Sequence, residues 1–338
     1  MTEPSPLSEF LSSVLDRTVT VSGLTRVEGG WSRQLHRCVL EDGTVLALRG
    51  EVNSSVLDTD IGREFAILSA LGPVPVPRPT IFGFEPTGEV LGHRFMAMEW
   101  VDGLAVNLWR VEASKKFGPD ALTGIARSWT RDIVALHQAD AELFRAAGID
   151  VDLDADRYVS SEVAFWTDRV RRSDHHPGPL VEEACEWLER TSPLPSVDTS
   201  IVHGDLRLGN MVIEGDRVRA FLDWEMAGLG DWRADIGYSL MPYHAGKLLA
   251  PIRPSWNQLL EPRQFLEEYS GSSGREMTDN DLEFFIVLAC TKMIGILCTG
   301  IDAFQAGRSR DPRLPWMSIA VPGLVDDICT ILDGGLPW

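Results

Sequence analysis

The run Val202-His203-Gly204-Asp205-Leu206-Arg207-Leu208-Gly209-Asn210, followed by Phe221-Leu222-Asp223-Trp224-Glu225, is the most informative part of this sequence. It combines an aspartate, an asparagine five positions later and a second aspartate after an apolar strand. Phosphoryl transfer leaves little covalent work to a protein, which must hold a hydroxyl group in line and neutralise the charge on the phosphates. The pattern therefore indicates magnesium-assisted phosphoryl transfer.

Three side chains of this run suit separate tasks in such a reaction. Asp205 is a carboxylate that would accept the proton of the attacking hydroxyl group. Asn210 and Asp223 supply an amide oxygen and a carboxylate oxygen, the hard donors that Mg²⁺ prefers, without forming a complete protein cage. We expect the three side chains to meet around one divalent cation.

The residues before this run are rich in predicted strands. Apolar spacing predicts an opening helix over residues 5–17 and a second helix over 60–71, with Asp60 as its N-cap and Gly72 as its end. Alternating patterns predict strands over residues 18–27, 36–40, 44–49, 80–85 and 94–100. The first hundred residues should therefore form a sheet with one prominent internal helix.

The pattern changes after Val101-Asp102-Gly103. Helical spacing predicts helices over residues 120–139 and 180–190 and a long apolar helix, or a pair of helices, over 279–304. Short strands are predicted only within residues 200–214 and 218–223. The sequence therefore predicts a small β-rich part, a short hinge and a larger, mainly helical part.

The composition is that of a folded, acidic protein. The 338 residues include 31 Lys and Arg against 50 Asp and Glu, for a net charge of −19, and 44% of the residues are apolar. Most of the net negative charge lies in residues 101–338, which contain 37 acidic and 23 basic side chains. Nucleic acids and anionic membranes are disfavoured as partners, because both need clustered positive charge.

Nothing in the sequence predicts secretion or a membrane span. Residues 1–16 lack the basic segment and the apolar run of a signal peptide, and the longest apolar run, Phe284 to Cys298, is too short to span a bilayer. The five cysteines are scattered and form no C-x-x-C motif, so we interpret them as small core residues. We expect a cytoplasmic location.

The pattern His203-Gly204-Asp205 with Asn210 and Asp223 resembles the aminoglycoside phosphotransferase family, small-molecule relatives of the protein kinases. The runs HGDLRLGN and FLDWE and the segment 228–238 are similar to a narrower subgroup, related to the kinase-like domain fused to certain acyl-CoA dehydrogenases. The similarity continues, in order, through residues 28–32, 46–49, 62–71 and 96–103.

This resemblance implies an α+β, bilobal protein-kinase-like fold. Residues 1–98 would form the small β-rich N-lobe, a nucleotide-binding sheet with one helix, and residues 99–103 the hinge. Residues 104–338 would form the larger, mainly helical C-lobe with the catalytic loop, the metal site and the acceptor pocket.

The resemblance also assigns roles to residues outside the central run. Gly29, Gly30 and Ser32 would form the turn over the nucleotide phosphates, because missing Cβ atoms let backbone N–H groups approach them. Arg49 stands at a strand end where protein kinases have Lys, and Glu64 on the next helix would be its ion-pair partner.

Further roles concern the hinge and the catalytic loop. The backbone of Glu99 and Val101 would pair with the nucleotide base. His203 would shape the loop, and Arg207 would assist the transferred phosphate. Asp231 and Asp235 are interpreted as a capping and hydrogen-bonding framework behind the loop.

Several residues leave two interpretations open. Glu225, in place of the glycine of protein kinases, would either reach the metal or substrate or form a structural hydrogen bond. The cluster Arg169, Arg171 and Arg172 is either solvated surface or a contact for a phosphorylated or CoA-bearing substrate. His137 fits a packed or capping histidine better than a base. Trp109, Trp166 and Trp232 are core residues or line the substrate cleft, and His175-His176 reads as a loop.

The expected activity is therefore transfer of the γ-phosphoryl group of ATP, with GTP less favoured, to a hydroxyl group of a small molecule with Mg²⁺. An unspecified metabolic alcohol or a hydroxyacyl thioester is the first acceptor class, and an aminoglycoside is the second. A nucleotide-binding pseudokinase that acts as a sensor is the alternative of another class.

Overall fold

The computed structural model describes residues 5–27, 33–51, 59–105, 118–191, 197–241 and 262–336. Its N-terminal part is a five-stranded antiparallel sheet in the order β1-β2-β3-β5-β4. The elements are α1 (Pro6–Val14), β1 (Val21–Val27), β2 (Arg33–Leu40), β3 (Val45–Glu51), α2 (Ile61–Ala70), β4 (Ile81–Glu85) and β5 (Phe95–Glu99). All of them lie within a few residues of the predicted segments.

Helix α2 has the start that its sequence predicts. The side chain of Asp60 accepts a hydrogen bond from the Gly62 N–H at 2.9 Å, which satisfies one of the free donors of the first turn. Ile67 and Leu68 are buried against the larger core, and Glu64 is buried with them at 1% exposure. A buried glutamate on an otherwise apolar face needs a cationic partner.

Helix α1 covers the other face of the sheet with a small core of its own. Leu11 of α1 packs there with Cys38, Leu48 and Phe95, all fully buried. The sheet therefore has apolar contacts on both faces, and the face toward α2 is the one that adjoins the residues after position 100.

The part that follows is mainly helical. Its helices are α3 (Pro119–His137), α4 (Glu142–Ala146), α5 (Ala155–Arg171), α6 (Pro179–Arg190), α7 (Trp232–Leu240), α8 (Pro262–Ser273), α9 (Asp279–Gln305), α10 (Arg313–Trp316) and α11 (Val321–Leu332). Its strands are β6 (Leu104–Ala105), β7 (Ser200–Val202), β8 (Met211–Glu214), β9 (Arg217–Phe221) and β10 (Gly228–Gly230), in the sheets β6-β8-β9 and β10-β7. The predicted α+β class, with a β-rich N-terminal part and a helical C-terminal part, is confirmed.

Helix α9 is one continuous helix of 27 residues, not a pair. It begins at a capping box in which Thr278 and Asp281 exchange side-chain and backbone hydrogen bonds. The sequence argument from length was wrong here, because α9 and the segment Arg313–Leu332 are both long and apolar enough to cross a membrane. In α9, however, 89% of the apolar window is buried inside the protein, as in the central helix of a folded core.

Candidate active site

The loop between β7 and β8 is held from below by Asp235 of α7. Its carboxylate accepts hydrogen bonds from the backbone N–H of His203 at 2.7 Å and of Gly204 at 2.9 Å, and His137 Nε2 lies 3.1 Å away. Burial alone would raise the pKa of Asp235, but these bonds lower it below its usual value. The predicted framework role of Asp235 is confirmed, and His137 is the packed histidine that we expected, at 1% exposure.

Asp231 belongs to the same framework. Its side chain caps α7 by accepting from the Arg233 N–H at 2.9 Å, and it forms an ion pair with the Arg233 guanidinium at 2.6 Å. Arg233 also reaches Asp281 at the start of α9 at 2.6 Å. Asp235 therefore holds the loop to α7, and Asp231 with Arg233 joins the start of α7 to α9, which matches the framework that the sequence indicated.

His203 links the loop to the strand that precedes Asp223. Its Nε2 lies 2.9 Å from the Leu222 carbonyl oxygen, and the N–H of Asp205 donates to its Nδ1 at 3.3 Å. One ring nitrogen therefore donates and the other accepts, which is the pattern of a neutral imidazole. Burial lowers the pKa of His203, so this neutral form is favoured.

The carboxylate of Asp205 is held by three side chains. The Tyr238 hydroxyl donates to Oδ1 at 2.6 Å, the Asn210 amide donates to Oδ2 at 2.5 Å, and Arg207 Nε lies 3.1 Å from Oδ1. The Asp205 side chain is 17% exposed, so it still reaches solvent. Sequence reasoning missed Tyr238, since it appeared only as the last residue of a family-like run with no spacing signal of its own.

Arg207 lies beside the predicted proton acceptor. Burial lowers the pKa of its guanidinium, but the charges of Asp205 and Asp223 outweigh this effect and leave the pKa above its usual value. Its cationic charge is therefore stationed next to Asp205, on the same loop.

Asn210 and Asp223 offer the oxygens expected of a magnesium site. Because the Asn210 amide nitrogen donates to both the backbone and side chain of Asp205, its amide oxygen is the atom left to accept. The Leu222 N–H donates to the backbone carbonyl oxygen of Asn210 at 2.8 Å. This hydrogen bond joins the loop to the segment that carries Asp223. Asp223 has a left-handed φ of 58° and a side chain that is 37% exposed.

This donor set fits Mg²⁺ better than it fits a metal ion whose ligands are all protein side chains. Among the residues that the structure describes, no three His, Cys, Asp or Glu side chains converge to hold a metal ion. Mg²⁺ is commonly bound by one or two protein oxygens together with phosphates and water. Asn210 and Asp223 therefore match that ion chemically.

The predicted ion pair between Arg49 of β3 and Glu64 of α2 is present. Arg49 Nε lies 2.8 Å from Glu64 Oε1, and Arg49 Nη1 lies 2.8 Å from Asp223 Oδ1. Burial lowers the pKa of Arg49, but Glu64, Asp223 and Glu225 outweigh this and raise it overall. Arg49 thus connects the sheet, helix α2 and the segment after β9.

Glu225 belongs to the same charge network. Its Oε2 lies 3.6 Å from Arg33 Nε, 3.7 Å from Arg49 Nη2 and 3.4 Å from the Thr59 hydroxyl. Burial, reinforced by Glu64, raises the pKa of Glu225 to about 7. Of the two interpretations left open, these contacts match the structural one. Arg33, 3.3 Å from Glu64, was not found from the sequence, where it is one of many arginines.

Helix α2 is also clamped to the residues that follow Asp223. Arg63, next to Glu64, donates to both carboxylate oxygens of Asp150 at 2.9 Å and to the Ala227 carbonyl oxygen at 2.8 Å. Asp150 in turn accepts from the Leu229 N–H at 3.0 Å. Glu64 is therefore held at a fixed distance from the loop that carries Asp223.

The predicted hinge lies at the end of β5. The Glu99 carboxylate accepts from the Thr80 hydroxyl at 2.8 Å and pairs with Arg219 at 2.8 Å, so its side chain serves the scaffold. The predicted pairing of a nucleotide base with the backbone of Glu99 and Val101 stays a prediction. Gly29, Gly30 and Ser32, the predicted phosphate-covering turn, lie outside the described residues, as does Trp109.

The basic cluster on α5 is paired with neighbouring groups. Arg171 lies 2.6 Å from both Glu182 and Glu189, Arg172 lies 2.8 Å from Asp168, and Arg169 donates to the Thr299 hydroxyl at 2.7 Å. These contacts match the surface interpretation of the cluster.

Burial decides between the two interpretations of Trp166 and Trp232. Trp166 and Trp232 are 1% and 3% exposed, so they belong to the core and do not line an open cleft. His175 and His176 lie between α5 and α6, and His175 Nδ1 lies 2.6 Å from Asp302.

Comparison with known proteins bears on this arrangement. The model of the phosphotransferase enzyme family, APH, matches residues 23–268. Acyl-CoA dehydrogenase family member 10 of Mus musculus is 29% identical over 203 residues, which cover 59% of this chain and 18% of that protein. Probable acyl-CoA dehydrogenase IBR3 of Arabidopsis thaliana is 27% identical over 262 residues, covering 71% of this chain and 31% of that protein. The chain thus spans about a fifth to a third of these curated relatives.

Solved structures share the fold over nearly the whole chain. A Ralstonia eutropha protein assigned to the aminoglycoside phosphotransferases has a TM-score of 0.75 at 23% identity, covering 95% of each chain. Macrolide 2'-phosphotransferase MphH of Brachybacterium faecium has a TM-score of 0.59 at 19% identity, covering 93% of this chain and 97% of that one. An APH(2'') enzyme solved with GDP and kanamycin has a TM-score of 0.63 at 13% identity, covering 96% and 98%.

Proposed function

This chain belongs to the APH phosphotransferase enzyme family, and we propose that it transfers the γ-phosphoryl group of a nucleoside triphosphate to a hydroxyl group of a small molecule. One observation carries the proposal. The Asp205 carboxylate is held by Tyr238, Asn210 and Arg207, and it still reaches solvent. A fixed, accessible carboxylate beside a cation is what orientation of an attacking hydroxyl group requires.

The residues of the loop would divide the work. Asp205 would accept the hydrogen bond of the acceptor hydroxyl group and take up its proton as that oxygen bonds to the γ-phosphorus, while the bond from the γ-phosphorus to the β–γ bridging oxygen breaks and the nucleoside diphosphate leaves. Arg207, stationed next to that carboxylate, faces the charge on the transferred phosphoryl group. The hydrogen bonds from the His203 and Gly204 N–H groups to Asp235 hold the loop backbone in place during the reaction.

The phosphates would be held from the side of the sheet. Arg49, anchored by Glu64, presents its guanidinium beside Asp223. Mg²⁺ held by the Asn210 amide oxygen and an Asp223 carboxylate oxygen would neutralise phosphate charge. Gly29, Gly30 and Ser32 would cover the phosphates with backbone N–H groups.

ATP is proposed as the first donor and GTP as the second. Two solved structures with this fold, at TM-scores of 0.63 and 0.65, hold GDP. Adenine carries an amino donor where guanine carries a carbonyl acceptor, so the backbone groups of Glu99 and Val101 would distinguish the two bases, and direct competition of the two nucleotides tests the order.

A metabolic alcohol, with a hydroxyacyl thioester as the specific class, is the first proposed acceptor. The matching part of the curated relatives belongs to acyl-CoA dehydrogenase family members, which supports an acyl thioester nearby in metabolism. An aminoglycoside is the second candidate, because the net charge of −19 attracts polycations and the APH(2'') structure holds kanamycin. The free thiols of all five cysteines and the use of a nucleoside triphosphate suit a cytoplasmic location.

The test is a transfer assay with defined acceptors. Protein, Mg²⁺ and either ATP or GTP are mixed with a 3-hydroxyacyl-CoA, a simple secondary alcohol or kanamycin, and phosphate esters are detected by mass spectrometry. We expect phosphorylation of the hydroxyacyl thioester, lowered at least a hundredfold in Asp205→Asn and unchanged in Asp216→Asn, an exposed aspartate on a nearby turn. Nucleotide binding without transfer to any acceptor would favour the sensor alternative instead.

A further inference from the structure

Lys292 is a buried lysine in the middle of the long apolar helix α9. It lies on α9 at 5% exposure, between neighbours that are almost all apolar and buried. Removing an ammonium group from water is costly, and an apolar side chain of similar volume would pack there at least as well. A lysine in this place therefore has to be explained by what its charge contacts.

The ammonium group contacts the catalytic loop directly. Lys292 Nζ donates to the Gly204 carbonyl oxygen at 2.8 Å, across 88 positions of sequence. Glu162 of α5 lies 3.5 Å from the same nitrogen and balances its charge from a partly exposed position. The hydrogen bond to Gly204 is thus charge-assisted and shielded from water, which makes it strong.

The Gly204 peptide groups are held from both sides. The N–H of Gly204 donates to Asp235, and its carbonyl oxygen accepts from Lys292. That carbonyl belongs to the peptide bond that leads into Asp205. Because a peptide unit is planar, a fixed Gly204 carbonyl oxygen also fixes the orientation of the Asp205 N–H and the position of the Asp205 Cα.

Lys292 also lies against the residue that orients the Asp205 carboxylate. Its Nζ is 5.3 Å from the ring centroid of Tyr238 and 5.5 Å from the ring of Trp166. A cation over an aromatic face withdraws electron density from the ring. The Tyr238 hydroxyl, which donates to Asp205 at 2.6 Å, is therefore made a stronger donor and its ring is held in place.

We propose that Lys292 is a positioning residue for phosphoryl transfer, which aims Asp205 through the Gly204 carbonyl and through Tyr238 without touching either substrate. This inference rests on the proposed function for its effect on rate. Its geometric part, control of the loop around Asp205, is independent of what the acceptor is.

Three variants of the full chain separate charge from packing. Lys292→Met keeps the length and apolar stem but removes the charge, and Lys292→Arg keeps the charge. Thr291→Val is the matched control, since Thr291 is a fully buried polar residue of the same helix and its hydroxyl makes no hydrogen bond among the described residues.

Two readouts are measured on each variant. The first is hydrolysis of Mg·ATP with water as acceptor, as kcat and as nucleotide KM. The second is backbone amide hydrogen exchange by mass spectrometry, which compares peptides from residues 203–210 with peptides from α3. For Lys292→Met we expect kcat to fall at least tenfold with KM within twofold, and exchange to accelerate in the loop alone. Lys292→Arg should recover most of the rate, and Thr291→Val should match the unmodified protein.

The outcomes distinguish this proposal from the proposed function. Equal acceleration of exchange in the loop and in α3, or no recovery by Lys292→Arg, would show that Lys292 serves stability only and would overturn the inference. Unchanged kcat and unchanged exchange in Lys292→Met would overturn it as well. If the unmodified protein hydrolyses no nucleotide, the proposed function is in question, while loop exchange still decides the role of Lys292.

Discussion

The guanidinium of Arg49 lies 2.8 Å from the Asp223 carboxylate, so the cation proposed to bind phosphate and the carboxylate proposed to bind metal are directly paired. The opposite side of the same guanidinium lies 2.8 Å from Glu64. Arg49 thereby sets the distance between helix α2 and the segment after β9. A planar, branched cation can make both contacts at once, whereas a single ammonium group is a point charge.

Arg49→Lys should consequently impair the enzyme although the charge is retained. One ammonium group cannot hold Glu64 and Asp223 in the same geometry, so we expect kcat/KM for the nucleotide to fall about tenfold to a hundredfold, a loss of about 1.4 to 2.7 kcal/mol in transition-state stabilisation. Steady-state kinetics measure this effect. Arg26→Lys, an exposed position on β1, is the matched control. Equal activity of Arg49→Lys and the unmodified protein would show that the bridge is dispensable.

Tyr238→Phe should lower turnover more than stability. The variant removes the hydroxyl that donates to Asp205 and keeps the ring beside Lys292. We expect kcat to fall about tenfold and the free energy of unfolding to fall by about 1 kcal/mol, the net value of one hydrogen bond. Tyr269→Phe removes a buried hydroxyl that bonds His137 instead, so it should lose similar stability and keep its kcat. Identical kinetics of the two variants would contradict the role of Tyr238.

Gly204→Ala should disable the catalytic loop. Gly204 has a φ of +78°, and a Cβ there would collide with the carbonyl oxygen of Met226. Backbone strain and the collision together should cost more than about 2 kcal/mol and abolish transfer. Gly215→Ala is the control, because its φ is +63° but nothing lies within 4 Å of the added Cβ. Denaturant unfolding should show a loss of only about 1 kcal/mol there.

The contribution of His203 to stability should decrease as the pH falls below about 6.5. Burial lowers the pKa of His203 in the folded protein, so the unfolded chain binds a proton at a higher pH than the folded one. The unfolded state therefore holds more protons between the two pKa values, and the free energy of unfolding rises with pH across that window. The stabilisation is complete above pH 6.5 and is lost toward acid.

Urea unfolding from pH 5 to pH 8 measures this dependence. His203→Gln can still donate to the Leu222 carbonyl oxygen but does not titrate. We expect its stability to vary less steeply with pH than that of the unmodified protein. Parallel curves for the two proteins would rule out His203 as a source of the dependence.

Much of the fold could be read from local patterns. Clear apolar periods mark the five strands of the N-terminal sheet and the helices α2, α3, α6 and α9. Asp60, as the N-cap, indicates where α2 begins. Helix α5 was missed although Val159, Val163, Trp166 and Val170 recur at helical spacing, because charged and polar residues occupy most of the positions between them. The length limit placed on the apolar run 284–298 failed because the helix continues through less apolar turns at both ends.

The sequence by itself determined that Asp205 and Asn210 precede one hairpin, β8–β9, and that Asp223 follows it, and the hydrogen bond from the Leu222 N–H to the Asn210 backbone carbonyl oxygen joins its two ends. Only the tertiary structure decided which distant side chains support them. Tyr238 is 33 positions from Asp205, and Lys292 is 88 positions from Gly204. Arg63 and Asp150, which pair with each other, are 87 positions apart. A contact over such a separation leaves no period in the sequence, because it depends on how whole helices pack and not on the residues beside it.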